Sequence, residues 1–172
     1  METLVFYVFF GVCFICFMIR TSYHVLENKG SELAENKTLF RVLLAMMFLL
    51  WFSWFGMTFN DPYELNLTSW ARYAGLAMFV IGASLFIISH LKIRVVNSEK
   101  LSTGGIYSKI RHPMYLGFII WIIGFPMFMN ALFALASAAI WIPHILYWRM
   151  SEERQLARKY DGYEEYKKKT WF

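Results

Sequence analysis

Apolar positions along this chain come in long blocks rather than at the short periods of a soluble core. Leu4 to Ile19 is the first, with only Cys and Gly interrupting its Leu, Val, Phe, Tyr, Ile and Met. Leu39 to Phe59 is the second, and Trp70 to Ser89 the third. Crossing the hydrocarbon takes roughly 20 such residues as a helix, so each block predicts one span. From Met114 to Trp148 the apolar run is too long for one span and is broken near its middle by Asn130, with Gly124 and Pro126 just before. That pattern predicts a tight helical hairpin with arms Met114–Met129 and Ala131–Trp148. The arms are short, and the pattern leaves open whether the hairpin crosses fully or re-enters. The expected fold is all-α: an integral membrane bundle of five transmembrane helices with a cytoplasmic helical tail. It is read as a single membrane domain, 1–172, with three N-terminal spans in 1–89 and a loop, hairpin and tail in 90–172.

Composition agrees and removes the alternatives. Of 172 residues, 58% are hydrophobic, 20% aromatic and only 17% charged, against ~45–50% and ~25% for an ordinary globular domain. Disordered and disulfide-scaffold classes are excluded by the same figures. Charge placement supports the count independently. Sixteen of the seventeen Lys and Arg fall in connectors that five alternating spans put on one face, and only Arg72 falls opposite. The positive-inside rule makes that face cytoplasmic, with the N-terminus outside and the C-terminus inside. The first block lacks the basic start and small-residue cleavage site of a signal peptide and is read as a mature helix. A net charge of +5 is accounted for by topology and anionic lipid, so no nucleic acid is implied. The connectors of any size, 20–38, 90–113 and 149–172, all lie on the basic face, which is where chemistry belongs.

Several local signals carry little. Cys13 and Cys16 share a helix face but have no second pair to complete a zinc site, and read as buried thiols. Asn36-Lys37-Thr38 and Asn66-Leu67-Thr68 match the glycosylation sequon on opposite faces, so at least one is accidental. His90 and His144 are the histidines nearest the spans, but a haem site would need them at matching depth. His144, Trp148 and Glu152 recur at i+4 and line one helix face, with Arg149 and Glu153 on the neighbouring ridge. Ionisable residues at such a depth usually line a cavity.

The strongest signal is Gly104-Gly105-Ile106-Tyr107 followed by Arg111-His112-Pro113-Met114-Tyr115 at the start of a span. Pro113 suits the first helical position and biases His112 toward an extended backbone. Arg111 and His112 then flank the unsatisfied N–H groups of a helix start, an anion-attracting arrangement. A basic loop obeying the positive-inside rule is the plain alternative.

Leu101 to Tyr107, followed by Arg111 to Gly117 and, after the hairpin, by Glu152-Glu153, Leu156, Tyr160, Tyr163, Tyr166 and Thr170, resembles the signature of the isoprenylcysteine carboxyl methyltransferase family. Phospholipid N-methyltransferases are its relatives. The likeness covers roughly residues 90–170. It departs at Tyr160-Asp161-Gly162, where an aromatic-glycine pair is usual, and in the compact loop before Leu101. It also departs at Trp171-Phe172, where a proline segment is usual. The departures concern the acceptor more than the methyl donor. The resemblance implies a membrane enzyme that binds S-adenosylmethionine without metal at the cytoplasmic end. It implies that Arg111, His112 and the helix starting at Pro113 take the donor's carboxylate. Tyr107, Tyr115 and Trp148 then serve as aromatic walls, with Glu152 for the ribose or adenine. Arg149 is assigned to a carboxylate on a lipophilic, prenylcysteine-like acceptor entering from the membrane. Glu153 either contacts the donor or pairs with Arg149. Three alternatives stand beside this reading: amine methylation of a phospholipid, an NADPH-dependent sterol-type reductase, and a haem or quinone protein. The oligomeric state is not specified.

Overall fold

The structure is a computed structural model that describes residues 2–29, 36–95 and 101–172. Lys100, one of the sixteen residues assigned to the basic face, lies outside the described residues. In chain order the helices are α1 (Glu2–Asn28), α2 (Lys37–Phe59), α3 (Ser69–Val95), α4 (Pro113–Met129), α5 (Leu132–Lys159) and α6 (Tyr163–Lys169), with a 3-10 turn at Gly105–Ser108. The architecture is an all-helical, multi-pass membrane bundle. α1, α2, α3 and α5 are long and apolar enough to cross a membrane, and α4 is a shorter apolar helix. Large side chains face outward as a lipid surface requires: Phe48 is 78% exposed and Trp70 75%.

The apolar blocks located the spans but not the full helices. α1 continues past Ile19 to Asn28, and α5 past Trp148 to Lys159. At 27 and 28 residues these helices reach about 40 Å, more than the ~30 Å hydrocarbon layer. Their polar C-terminal turns therefore project beyond it, side by side.

The hairpin turn falls at Asn130, in the left-handed region at φ 64°, which Asn tolerates better than most residues. Asn130 also ties the hairpin to the α2–α3 connector. Its carbonyl accepts from Leu65 N at 3.0 Å, its Oδ1 from Leu67 N at 3.0 Å, and its Nδ2 donates to Glu64 at 3.2 Å. Asp61 accepts from Ala134 N at 2.7 Å in the first turn of α5. Both turns thus sit at one end of the bundle, so α4 traverses it completely although its 17 residues span only about 25 Å. The hairpin therefore runs the length of the bundle, from the basic end to the end that holds the α2–α3 connector. Arg72 lies at this same end, its Nε donating to Phe128 O at 3.0 Å beside the α4 C-terminus.

α3 and α4 pack backbone to backbone through paired glycines seven residues apart. A Cβ on Gly82 would lie 2.6 Å from Gly117 O, and one on Gly75 2.7 Å from Gly124 O. Small residues allow this approach where lipid gives helices no hydrophobic reason to associate. Trp54, Phe118, Trp121 and Phe125 fill the space between α2 and α4. On the other side Phe17 stacks between Trp141 at 4.7 Å and Trp148 at 5.1 Å, joining α1 to α5. Cys13 and Cys16 are buried free thiols in this core. Asn36, the first sequon residue, caps α2 by accepting from Thr38 N and Leu39 N.

Candidate active site at the basic end of the bundle

The helix ends opposite Asn130 converge on one carboxylate. Glu153, buried on α5, has its Oε1 at 3.2 Å from Arg111 Nε, 3.3 Å from Arg149 and 3.4 Å from His112 Nε2. Its Oε2 meets Lys167 Nζ at 3.2 Å. Burying one charge among several demands this kind of saturation, because an unpaired carboxylate there would be costly. His112 is 4% exposed. Burial, helped by the nearby Arg149 and Arg111 and opposed by Glu153, pulls its pKa down to about 4. It is a neutral imidazole at physiological pH.

The C-terminal segment is part of the cluster. Ile110 and Trp171 form a parallel bridge, in which Arg111 N donates to Trp171 O, His112 N to Phe172 O and Trp171 N to Lys109 O, all at 3.0–3.1 Å. The Arg111 guanidinium donates to the carbonyls of Lys167 and Thr170. Arg149 lies over the Phe172 ring at 4.7 Å. Tyr163 approaches His112 Nε2 at 3.5 Å. The backbone N–H groups of Arg111 and His112, just before α4, are thus occupied by carbonyls of the chain's own tail. Gly105, at φ 63°, supplies the left-handed residue where the loop turns back toward the bundle.

Beside the cluster, on the α1 side, is a cavity of about 340 Å³ lined by polar groups from three helices, at the lower end of the size range of small-molecule sites. α1 contributes Arg20, Tyr23, His24 and Glu27; α4 contributes Tyr115; α5 contributes Glu152 and the turn after it. The Tyr115 hydroxyl donates to the Glu152 carboxylate. His24 Nδ1 is 3.1 Å from Glu27 Oε2. Trp148 packs against His24 with ring centroids 6.2 Å apart, and its Nε1 donates to Thr21 Oγ1 at 2.8 Å. Among the described residues, two buried nitrogens on this wall, Arg20 Nε and His24 Nε2, have no hydrogen-bond partner, and neither has Arg149 Nε in the adjacent cluster.

The sequence-predicted residues therefore divide into two neighbouring groups. Arg111, His112, Arg149 and Glu153 form the ion cluster; Tyr115 and Glu152 line the cavity, with Trp148 against its His24 wall. The ring contact between His112 and Tyr115, 5.9 Å between centroids, joins them. Pro113 is the buried first residue of α4. Tyr107 does not line the cavity: its hydroxyl donates to Ser89 O at 3.4 Å, its carbonyl accepts from the Tyr166 hydroxyl at 2.6 Å, and burial raises its pKa to about 12. His144 bonds to Thr21 at 2.7 Å. Arg111 and Arg149, assigned above to the donor's and the acceptor's carboxylate, share Glu153. Glu153 does pair with Arg149, at 3.3 Å.

Sequence reading missed Arg20, His24 and Glu27, because the first span was ended at Ile19. Their i, i+4, i+7 spacing was the available signal. Lys167 and Phe172 carried none, since nothing local shows where a tail docks. Among the described residues no group of three or more His, Cys, Asp and Glu is placed to hold a metal ion.

Comparison with known proteins bears on the same region. The phospholipid methyltransferase family model matches residues 70–162, which include α4, α5 and the Glu152-Glu153 pair but not α1 or the tail. The chain is similar to protein-S-isoprenylcysteine O-methyltransferase B of Arabidopsis thaliana, 38% identical over 96 residues that cover 49% of this chain and 46% of that protein. It is 30% identical to the Homo sapiens protein-S-isoprenylcysteine O-methyltransferase over 132 residues, 69% of this chain and 46% of that protein. A probable protein-S-isoprenylcysteine O-methyltransferase of Oryza sativa subsp. indica is 32% identical over 121 residues, 62% of each. The chain spans about half the length of the first two. No solved structure matches it.

Proposed function

Because the chain belongs to the phospholipid methyltransferase family, we propose that it is an S-adenosylmethionine-dependent methyltransferase of a lipophilic acceptor, acting at the cytoplasmic membrane face. The acceptor it suits best is a prenylcysteine-like carboxylate, which is methylated on oxygen. The single observation that carries this is the polar cavity between α1, α4 and α5, opening beside the buried Glu153 cluster. Its aromatic walls and mixed charges fit an adenosyl sulfonium, since ring faces attract such cations.

When bound, S-adenosylmethionine supplies an electrophilic methyl group. A deprotonated carboxylate needs no base to accept it, so the residues have to orient and exclude water rather than move protons. Tyr115, Glu152 and the Trp148 wall would hold the donor. Arg149 keeps a spare buried Nε and is pressed on the Phe172 face. It is the group for the acceptor's carboxylate, with Glu153 fixing its guanidinium. Arg111 and His112 would act through Glu153 and the docked tail. Tyr107 would secure the tail through Tyr166. All these residues belong to one membrane domain, with the N-terminus outside and the basic end in the cytoplasm.

The acids Glu27 and Glu152 in the cavity also suit an amine acceptor, whose methylation releases a proton that a carboxylate takes up. Purified protein should bind S-adenosylhomocysteine in the presence of a chelator, and more tightly than NADPH, by calorimetry. It should methylate N-acetyl-S-farnesylcysteine in preference to phosphatidylethanolamine vesicles. No heat with the adenosyl ligand rejects the reading, and methylation of the vesicles alone replaces the carboxylate with the amine.

A further inference from the structure

We infer that the pocket of Ser69, Arg72, Tyr73 and Phe128, at the end of the bundle opposite the Glu153 cluster, holds the phosphodiester of a membrane phospholipid. The inference is independent of the methyltransferase reading and concerns the other leaflet of the membrane.

By sequence, Arg72 alone among the seventeen Lys and Arg falls off the basic face, where the positive-inside rule gives a cation no advantage. Its Nε donates to Phe128 O at 3.0 Å. The C-terminal turn of α4 thus fixes the guanidinium but uses only one of its five N–H groups. The acids of that end are engaged elsewhere. Asp61 accepts from Tyr63 N and Ala134 N, and Glu64 accepts from Asn130 Nδ2. Among the described residues no carboxylate forms an ion pair with Arg72. The fold orients this cation without supplying its counter-charge. With Nε occupied, the two Nη groups form the edge that takes an oxyanion through two parallel N–H···O bonds. Arg72 lines a pocket of about 130 Å³ with Ser69, Tyr73 and Phe128. That is well below the ~300 Å³ at which small-molecule sites begin, so it suits one phosphate group rather than a whole ligand. Ser69 and Tyr73 bring hydroxyls that can donate to the remaining oxygens.

Depth selects a lipid over a free ion. Trp70 and Tyr73 are both exposed beside Arg72, as interfacial rings at headgroup level are. From Tyr73 the same face of α3 continues at i+7 spacing through Val80 and Ile87, which are exposed as well. The phosphodiester sits on Arg72, and the acyl chains run along this apolar stripe.

The test is native mass spectrometry of the purified full chain in detergent, titrated with dioleoylphosphatidylcholine and, as the phosphate-free control, dioleoylglycerol. Phosphatidylcholine carries the phosphodiester without the net charge that would draw it to the basic end. Wild-type protein should bind one phosphatidylcholine at least about tenfold more tightly than dioleoylglycerol. Arg72→Gln should lose that preference, and Arg72→Lys should keep part of it. Because Arg72 also caps α4, Ser69→Asp separates the two roles, leaving the bond to Phe128 in place while putting a carboxylate into the pocket. It should abolish the preference and leave the lipid-free unfolding midpoint unchanged or higher. Equal binding of the two lipids by wild type, or an unaltered preference in either Arg72→Gln or Ser69→Asp, would overturn the inference. Loss of the preference in millimolar inorganic phosphate would make the pocket a free-anion site and overturn it as well.

Discussion

Replacing Glu153 by Gln removes the charge on which four neighbours converge while keeping the side chain's size. Arg111 and Arg149, whose side chains are 9% and 19% exposed, would be left facing each other without a counter-charge. His112 is neutral already and gains little. Lys167, 43% exposed, relaxes into water and should contribute less than about 1 kcal/mol. Breaking a buried pair by deleting one partner typically costs about 3–5 kcal/mol, most of it the penalty on the stranded charge. Two stranded guanidiniums put Glu153→Gln in that range, and Arg111→Ala below it, because Glu153 would retain Arg149 and Lys167. The observable is thermal unfolding in detergent followed by tryptophan fluorescence. By the scaling of roughly 2–4 °C per kcal/mol for a chain of this length, Glu153→Gln should lower the midpoint by about 6–20 °C and Lys167→Ala by only a few degrees. Tail docking should loosen in parallel, detected as faster proteolysis after Lys167. If Lys167→Ala were as damaging as Glu153→Gln, or if Glu153→Gln cost under about 1 kcal/mol, the cluster would not hold the basic end together.

Gly82→Leu should destabilise the bundle by more than about 3 kcal/mol in the same assay, because its Cβ alone would stand 2.6 Å from the Gly117 carbonyl oxygen; overpacking of ordinary cores costs about 1–3 kcal/mol. Gly11→Ala, with nothing within 4 Å of its added Cβ, is the control and should be neutral or stabilising by up to about 1 kcal/mol. Because burial holds the His112 pKa near 4, the unfolded chain takes up its proton first on acidification. Stability should therefore be intact above about pH 6.5 and fall as pH drops toward about 4, and unfolding midpoints of His112→Gln should lose that part of the slope. A cysteine placed at Glu165 should react with an impermeant reagent only after cells are opened, and one at Tyr63 from outside; the reverse pattern would invert the topology.

The hydropathy pattern of the chain was enough to determine its class, its spans and the turn at Asn130, since transfer of apolar surface into lipid is local and additive along a helix. Motif spacing likewise singled out Arg111, His112, Tyr115, Arg149, Glu152 and Glu153, because i+4 recurrence and a proline-started helix are properties of one segment. Which of these groups meet was settled only by tertiary packing. Arg111 and Arg149 lie 38 residues apart in the chain and share one carboxylate, and periodicity carries no information about a partner on another element. The paired glycines of α3 and α4 set how closely those helices approach, which no single helix can express. Arg20, His24 and Glu27 become a cavity wall only because α1 outruns the membrane beside α5 and Phe17 stacks between Trp141 and Trp148. A helix face can be read from sequence; the surface it faces depends on the shapes of all its neighbours at once.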